Sequence, residues 1–353
     1  MSTKVFVIQP TIQPEAARVF AGHVELVEPL RGTDNDGKYT PDALGMITAA
    51  LHETLPEIHG IFGYGQVTAD MFERAPQLRC VMTPSSGAET IDLEAATAHA
   101  VPVINAAGAA YVPVAEHVIG LALSLLKLIA LPDREVHATG HQRSNADLMR
   151  AGLVPSVMWR KTIGIVGYGF IGRSLAQKCL RGFDMDVIAY DPFFDPVEAD
   201  MHGVRLVDNL DELLATSDIV SVNSPHTPET ERLIDARALG LMKKSALLIN
   251  CARGPIVDTQ ALADALRDGV IAGAGLDVTE PEPLPDSHPL LSMDNVVLTP
   301  HIGGVAKEFL PRMAEQTARE GLAVLNGRFA HHIVNKAVWP AYLERMRERG
   351  LAA

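Results

Sequence analysis

Six consecutive residues near the middle of the chain read Gly-Tyr-Gly-Phe-Ile-Gly, the spacing of a turn that binds a diphosphate. Gly167 allows the tight turn, Gly169 lets the backbone approach the phosphates, and Gly172 lets the next helix pack closely on the preceding strand. The free amides at the start of that helix, including those of Phe170 and Ile171, are expected to bind the anion. A Val- and Ile-rich run before the turn and a helical pattern after it support this prediction.

An acidic residue follows this glycine turn at the distance expected for a ribose contact. Asp191 lies 19 residues beyond Gly172, directly after the predicted strand 187–190. A carboxylate at this place accepts hydrogen bonds from the hydroxyls of the adenosine ribose and repels a 2′-phosphate. The pattern therefore predicts that the chain binds NAD rather than NADP.

Polar residues also follow the later predicted strands. Because parallel strands bring their carboxyl ends to one edge of a sheet, we expect these residues to line one crevice. They are Ser224 and Pro225, then Cys251, Ala252 and Arg253, then Asp277, and finally His301 with Gly303 and Gly304. An arginine clamps a carboxylate in bidentate fashion, and a histidine beside an acid delivers or takes a proton. This set suits hydride transfer to a 2-oxo acid.

Four motifs occur along the chain in a characteristic order. They read GIVGYGFIG (164–172), NCARGPIVD (250–258), GAGLDVTEPEPLP (273–285) and TPHIGG (299–304), with weaker support from SSGAETID (85–92) and VPVAEHVIGLAL (112–123). Together they resemble the D-isomer-specific 2-hydroxyacid dehydrogenase family. The resemblance implies an NAD-dependent oxidoreductase that interconverts a small 2-oxo acid and its D-2-hydroxy acid.

The resemblance implies catalytic roles for three residues. Arg253 is similar to the arginine that anchors the substrate, and His301 is similar to the general acid and base. Glu282 resembles the glutamate that pairs with this histidine. Glu280 is a nearby rival, but Glu282 directly precedes the second proline of Pro-Glu-Pro and matches the family pattern better.

Further contacts are implied in both halves of the chain. Contacts to NAD are expected from the backbone of Phe170 and Ile171, from Asp191, from the Cys251 carbonyl and from Asp277. Cys251 has no neighbouring base in the sequence, so we expect a small residue lining the cofactor rather than a nucleophile. An early loop of Ser86, Gly87 and Ala88 is expected to bind the substrate carboxylate through its amides.

The composition argues against several other classes of protein. The chain has 353 residues, with 30 Lys and Arg against 43 Asp and Glu, giving a net charge of −13. This excess of negative charge disfavours a broad nucleic-acid or anionic-membrane surface. The three cysteines are far apart, and His137 and His141 lack the glutamate of a zinc-binding helix, so neither disulfides nor a metal are expected. Without a signal-peptide pattern at the N-terminus, we expect a cytoplasmic protein.

Short apolar strands alternate with helices along the chain, which is typical of parallel sheets covered on both faces. Strands are expected first at 4–8, 24–27, 60–62, 78–82 and 101–104, with helices at 14–22, 41–51, 69–74 and 93–99. The pattern restarts with strands at 162–166, 187–190, 219–222, 246–250, 274–277 and 296–298, and with helices at 210–215 and 261–268. The sequence thus predicts an α/β protein of two doubly wound parallel-sheet lobes.

We expect a flavodoxin-like substrate domain at 1–109, completed by 308–353, and a Rossmann NAD-binding domain at 110–307, with a cleft between them. The apolar stretch 112–131 is predicted to form one long buried or interfacial helix. It resembles a dimerisation element of the family, so a homodimer is expected. The stretch 132–159 is predicted to be an irregular connection.

The end of the chain is predicted to return to the first lobe. A last helix is expected at 306–325, and the tail from 329 onward has no strand partner of its own in this prediction. The adjacent His331 and His332 are expected to lie on the surface of the tail.

Two alternative functions remain open at this point. In a formate dehydrogenase, a relative with a similar Rossmann lobe, the histidine is partnered by glutamine, so Glu282 argues against that reading. A dinucleotide-sensing protein of the corepressor type is disfavoured by the acidic charge and by the intact Arg-Glu-His set. The side chain of the substrate is not predicted, and glyoxylate, hydroxypyruvate, pyruvate and bulkier 2-oxo acids stay open.

Overall fold

The computed structural model describes residues 2–351, which form two compact units. Unit 1 contains the chain up to Ala110 and from Val305 onward, and unit 2 is Tyr111–Gly304. Each unit is built around a parallel sheet, one of five strands and one of seven. The predicted class of two parallel-sheet α/β lobes is confirmed.

The bounds of the regular elements are as follows. The strands are β1 (Lys4–Val7), β2 (Glu25–Val27), β3 (Gly60–Phe62), β4 (Cys80–Met82), β5 (Val103–Ile104), β6 (Thr162–Val166), β7 (Asp186–Tyr190), β8 (Arg205–Leu206), β9 (Ile219–Val222), β10 (Leu247–Asn250), β11 (Gly273–Leu276) and β12 (Val296–Leu298). The helices are α1 (Pro14–Phe20), α2 (Pro41–Thr54), α3 (Ala69–Arg74), α4 (Leu93–Ala98), α5 (Tyr111–Leu126), α6 (Ala130–Thr139), α7 (Asn145–Arg150), α8 (Phe170–Phe183), α9 (Pro196–Met201), α10 (Leu210–Thr216), α11 (Ala236–Leu241), α12 (Thr259–Arg267), α13 (Leu310–Leu325) and α14 (Trp339–Glu348).

The sheet of unit 1 has the strand order β2-β1-β3-β4-β5 and buries both faces. Successive side chains of a strand point to opposite faces, so each strand contributes to two separate cores. Phe6, Ile61 and Val81 lie in one apolar cluster, which also contains residues of α2, α3 and α4. The opposite face contributes Phe62 and Met82 to a second cluster, with residues of α1, α13 and α14.

The tail of the chain completes this second core. Tyr342 and Met346 of α14 are fully buried there, and the Tyr342 hydroxyl donates to the Val324 carbonyl. Ile333 forms an isolated antiparallel bridge with Ile104, so the tail does pair with the sheet edge, contrary to the prediction.

Unit 2 has the strand order β12-β11-β10-β9-β6-β7-β8, with all pairs parallel. The order reverses between β6 and β9, and ligands of open α/β sheets bind outside the carboxyl ends of strands at such a switch point. The glycine turn follows β6 and Ser224 lies two residues after β9, so both lie at the switch point.

Several helices begin where their capping residues predict. The side chain of Asn209 accepts from the Glu212 amide at the start of α10, and Asp258 accepts from the Ala261 amide at the start of α12. Each satisfies an amide that has no partner within the helix.

The prediction of one helix over 112–131 is wrong. The chain breaks after α5, Leu128 takes a φ of +53°, and α6 begins at Ala130. Pro132 explains the break, because its ring would clash with the carbonyl of Leu128 in a continuous helix. In the described part of the chain no single helix is long and apolar enough to cross a membrane; α5 and α6 pass that test only as a pair, and they are bent by 66°.

Other boundaries also differ from the prediction. The stretch 132–159 is partly helical, since α6 runs through Thr139 and a capping box of Ser144 and Asp147 starts α7. The two-residue strand β8 was not predicted, because two residues show no pattern. The last helix begins at Leu310 rather than at 306, with Pro311 in its first turn, where a missing amide costs no helical hydrogen bond.

We predict that Gly164→Ala destabilises unit 2 by about 1–3 kcal/mol, the usual cost of overpacking a core. A Cβ on Gly164 of β6 would lie 2.1 Å from Ser217 Oγ and 2.6 Å from Leu213 Cδ2, both on fully buried residues. Gly240→Ala in α11 is the matched control, since its Cβ meets nothing within 4 Å and alanine favours a helix. Urea unfolding measures both; equal stability of the two variants would contradict the packing described.

Candidate active site

The glycine turn is packed so tightly that two of its glycines have no room for a side chain. Gly167 has a φ of +92°, and a Cβ there would lie 2.7 Å from the Ser224 backbone nitrogen. A Cβ on Gly172 would lie 2.4 Å from the Gly167 carbonyl oxygen. Gly169 caps α8 without a side-chain hydrogen bond and faces open space. The first amides of α8, including those of Phe170 and Ile171, therefore face a cradle that suits a diphosphate.

The carboxylate of Asp191 is fixed at the edge of this turn. Its Oδ2 accepts from the Tyr168 amide at 2.9 Å, and its Oδ1 accepts from the Phe193 amide at 3.0 Å. Each oxygen keeps a further lone pair, because a carboxylate accepts about four hydrogen bonds. Asp191 can therefore accept from ribose hydroxyls without losing the contacts that orient it.

Ser224 and Pro225 lie beside the turn, after β9. The Ser224 hydroxyl is buried and has no hydrogen-bond partner among the described residues. A buried hydroxyl without a partner is costly, so this atom fits a site that a polar ligand completes. The Pro225 carbonyl accepts from the Thr230 hydroxyl at 2.7 Å, which closes the loop on itself.

His301 and Glu282 form a direct pair. The Nδ1 atom of His301 lies 2.7 Å from Glu282 Oε1, and both side chains are roughly half exposed. Because Nδ1 is engaged by Glu282, Nε2 is the ring atom left to exchange a proton with a ligand. Glu280, the rival acid, shows no such contact with the histidine in the described part of the structure.

The loop after β10 carries Cys251, Ala252 and Arg253. The Asn250 side chain holds this loop, since its Nδ2 donates to the Arg253 carbonyl and its Oδ1 accepts from the Ala252 amide. The guanidinium of Arg253 donates to the Ala252 carbonyl at 2.6 Å. The Cys251 thiol is buried, and burial raises the pKa of this thiol, which disfavours the nucleophilic thiolate.

Gly254 brings the arginine loop against the segment that leads to Glu282. A Cβ on Gly254 would lie 2.0 Å from the Thr279 carbonyl oxygen, a distance that no side chain tolerates. Because β10, β11 and β12 are neighbours in the sheet, Arg253, Asp277 and His301 all follow adjacent strand ends. The predicted crevice residues of unit 2 thus lie along one edge of its sheet.

Asp277 lies at the centre of this edge, and the residues 299–303, which we call the histidine loop, wrap around it. Its Oδ1 accepts from the Thr299 hydroxyl at 2.6 Å and from the Ile302 amide at 2.9 Å. Its Oδ2 accepts from the Gly303 amide at 2.8 Å, and its carbonyl accepts from the His301 amide. A Cβ on Gly303 would lie 2.8 Å from Oδ2, so only glycine fits there.

The histidine loop holds an unfavourable backbone conformation. His301 has a φ of +55°, a left-handed conformation that costs a non-glycine residue about 1–2 kcal/mol. The three amide and hydroxyl donors to the Asp277 carboxylate fix the residues on both sides of it. Strain of this kind persists where the surroundings impose it, and it clusters at functional sites.

In unit 1 the predicted substrate loop follows β4. The Asn105 side chain donates to the Ser86 carbonyl at 2.7 Å, and the Ser85 hydroxyl donates to the Gly87 carbonyl at 2.7 Å. Among the described residues no acceptor bonds to the amides of Ser86, Gly87 or Ala88. The loop is therefore held by its carbonyls, which leaves its amides for another acceptor.

Comparisons with known proteins agree with this geometry. A sequence model of the D-isomer specific 2-hydroxyacid dehydrogenase, NAD binding domain, matches residues 119–303. The chain belongs to this family. It is 42% identical to a glyoxylate reductase of Thermofilum pendens over 275 residues, which cover 77% of this chain and 79% of that protein.

Two further proteins that this chain resembles have other names and are covered to different extents. A D-3-phosphoglycerate dehydrogenase of Methanocaldococcus jannaschii is 36% identical over 270 residues, which cover 76% of this chain but only 50% of that protein. The holo form of D-mandelate dehydrogenase from Rhodotorula graminis matches with a TM-score of 0.80 and 26% identity, over 95% of this chain and 98% of that one.

The residues present in this chain fit NAD. The cradle between Gly167 and Ser224, the amides at the start of α8 and the unpartnered Ser224 hydroxyl suit its diphosphate, and Asp191 suits its ribose. The predicted cofactor is confirmed. Among the described residues no group of three or more His, Cys, Asp or Glu side chains is arranged to hold a metal.

Sequence analysis missed one polar residue of the site. His117 on α5 lies with its Nε2 2.9 Å from Thr299 Oγ1 and 3.4 Å from Asp277 Oδ1. Its signal in the sequence was a histidine within a largely apolar helix. In unit 1, His331 is exposed as predicted, whereas His332 is only partly exposed, because its ring and amide contact Glu320 of α13.

We predict that Asp277→Asn costs this dehydrogenase stability in a pH-dependent way. Burial opposes the charge of Asp277, but hydrogen bonds from His117, Thr299 and the amides of Gly303 and Ile302 outweigh burial and lower its pKa to about 2. The stabilisation is present above the ordinary pKa of 3.8 and is lost as the pH falls toward 2. Wild type should be more stable than the variant by about 2 kcal/mol at pH 7.

Urea unfolding at pH 7 and pH 3 measures this effect. The free energy of unfolding of wild type should exceed that of Asp277→Asn by less at pH 3 than at pH 7. At pH 3 the Asp277 carboxyl binds a proton in the unfolded chain but not in the folded one, and this favours unfolding of wild type. A difference of the same size at both pH values would contradict the ionised state of Asp277.

Proposed function

We propose that this protein catalyses the reversible, NAD-dependent reduction of a small 2-oxo acid to its D-2-hydroxy acid. The observation that carries the proposal is the 2.7 Å pair of His301 Nδ1 and Glu282 Oε1, beside the loop that holds Arg253. A histidine with one ring nitrogen held by a carboxylate and the other open is the arrangement of a general acid and base.

Each of the three residues has one task in this proposal. Arg253 binds the substrate carboxylate and thereby aims the 2-oxo group at the histidine. The protonated His301 donates its Nε2 proton to the carbonyl oxygen as it becomes a hydroxyl, and takes that proton back in the reverse direction. Glu282 stabilises the charged ring. NAD, when bound in its reduced form, supplies the hydride for the carbonyl carbon.

The substrate is proposed to be a small 2-oxo acid of the glyoxylate type. The relative with 42% identity is a glyoxylate reductase and is covered over 79% of its length, whereas the phosphoglycerate dehydrogenase is covered over half. NADH oxidation against glyoxylate, hydroxypyruvate, pyruvate, 3-phosphohydroxypyruvate and phenylglyoxylate tests the proposal. Binding of NADH without turnover of any 2-oxo acid would instead support the sensor alternative.

We predict that Glu282→Gln lowers kcat/KM for reduction at neutral pH by about 10- to 100-fold, the loss expected for a charge-assisted hydrogen bond. Glutamine keeps the shape and a hydrogen bond but removes the negative charge beside the ring. Steady-state kinetics at neutral pH measure kcat/KM for both proteins.

Glu280→Gln is the matched control for this substitution. It changes the same chemical group two residues away, without the contact to His301, and should keep kcat/KM within about twofold of wild type. A loss of kcat/KM in Glu280→Gln but not in Glu282→Gln would show that Glu280, and not Glu282, supports the histidine.

Three further expectations stay predictions. The role of Ser86, Gly87 and Ala88 in binding substrate and the cytoplasmic location are both proposed here from the sequence.

A homodimer is also proposed. It rests on the resemblance of the stretch 112–131 to a dimerisation element of the family, and apolar side chains around α6 and α7 are exposed. These are Ile129, Met149, Val154, Val157 and Trp159.

A further inference from the structure

His117 is a polar side chain on a largely apolar helix, and its ring is turned toward the histidine loop. Its neighbours on α5, Ala115 and Val118, are fully buried, while the His117 side chain is 21% exposed. Its Nε2 reaches Thr299 Oγ1 at 2.9 Å, and its Cδ2 would lie 3.3 Å from a Cβ on Gly303. The ring therefore contacts Thr299, the first residue of the histidine loop, and lies close to Gly303, the last one.

The direction of the hydrogen bonds follows from the charge on Asp277. An ionised carboxylate only accepts, so the single hydroxyl proton of Thr299 goes to Asp277 Oδ1 at 2.6 Å. The Thr299 oxygen is then free to accept from the Nε2 proton of His117, which lies 2.9 Å from Thr299 Oγ1 and 3.4 Å from Asp277 Oδ1 and so faces both. The result is a directed chain from α5 through Thr299 to the carboxylate that holds the amides of Ile302 and Gly303.

We propose that His117 is a positioning residue for catalysis, because it holds Thr299 and Asp277 in the arrangement that keeps the backbone of His301 in its left-handed conformation. His117 makes no contact with the His301 side chain in the described structure. It acts on the orientation of that side chain through the loop. The inference rests on the proposed function, in which His301 exchanges a proton with the substrate.

The kinetic test uses His117→Phe, which keeps an aromatic ring but removes the donor, and His117→Gln, which keeps an N–H. His117→Phe should lower kcat about tenfold, the size expected for the net loss of one hydrogen bond. KM for the 2-oxo acid should change less than threefold, because Arg253 lies on a separate loop. His117→Gln should recover kcat to within about threefold of wild type.

A double-mutant cycle with Thr299→Val tests whether the two residues act in one chain. Valine keeps the shape of threonine without its hydroxyl, so the single variant should lose about as much kcat as His117→Phe. The double variant should then lose no more than the worse single variant, since either change breaks the same chain. Losses that multiply would overturn the inference, and so would equal losses in His117→Phe and His117→Gln.

Hydrogen exchange gives a readout that does not depend on turnover. The amides of Ile302 and Gly303 should exchange about tenfold faster in His117→Phe than in wild type, and near the wild-type rate in His117→Gln. Unchanged exchange in His117→Phe would overturn the inference even if NADH oxidation proceeds. If wild type reduced no 2-oxo acid but the exchange changed as expected, the proposed function would fail while the loop-holding contact stood.

Discussion

The buried carboxylate of Asp277 is the interaction on which the candidate site depends. A charge buried to 3% exposure is costly unless several donors surround it, and the fold supplies them from α5 and from the histidine loop. The donors are two backbone amides, a hydroxyl and a histidine. Satisfying this one charge therefore fixes the path of the chain on both sides of His301.

The sheet of unit 2 explains why these groups meet. Its parallel strands bring the ends of β10, β11 and β12 side by side, and each end carries one of the residues Arg253, Asp277 and His301. On the other side of β9, the same edge carries the glycine turn and Asp191. One edge thus combines a cofactor cradle, made of backbone amides, with a short row of charged side chains. Glycines at 254 and 303 allow the loops to approach so closely.

Most of the fold and the cofactor cradle was predictable from local sequence. Some features depend only on residues close to each other in sequence, so a short stretch of sequence is enough to predict them. They are the glycine spacing, Asp191 and the helix caps at Asn209 and Asp258. The motif also identified Glu282 over Glu280, and the structure pairs Glu282 with His301.

The features that the sequence did not predict depend on contacts between residues far apart in sequence, or on a single residue that interrupts a pattern. The break at Leu128 follows from Pro132, which an apolar count over 112–131 ignores. The contact between His117 and Thr299 joins residues that are 182 positions apart. The bridge between Ile104 and Ile333 joins the two chain segments that make up unit 1. No local pattern encodes such pairs, because their partners are set by the tertiary fold.

Kinetics of His301→Asn, with NADH affinity measured in parallel, tests the central claim that this histidine transfers the proton. Asparagine tolerates a left-handed backbone better than most residues, so the loop should keep its path while the acid and base are lost. We expect kcat for 2-oxo acid reduction to fall about 10²- to 10⁴-fold. The Kd for NADH should stay within a few-fold, since the glycine turn binds the cofactor. A near wild-type kcat in this variant would show that His301 does not transfer the proton.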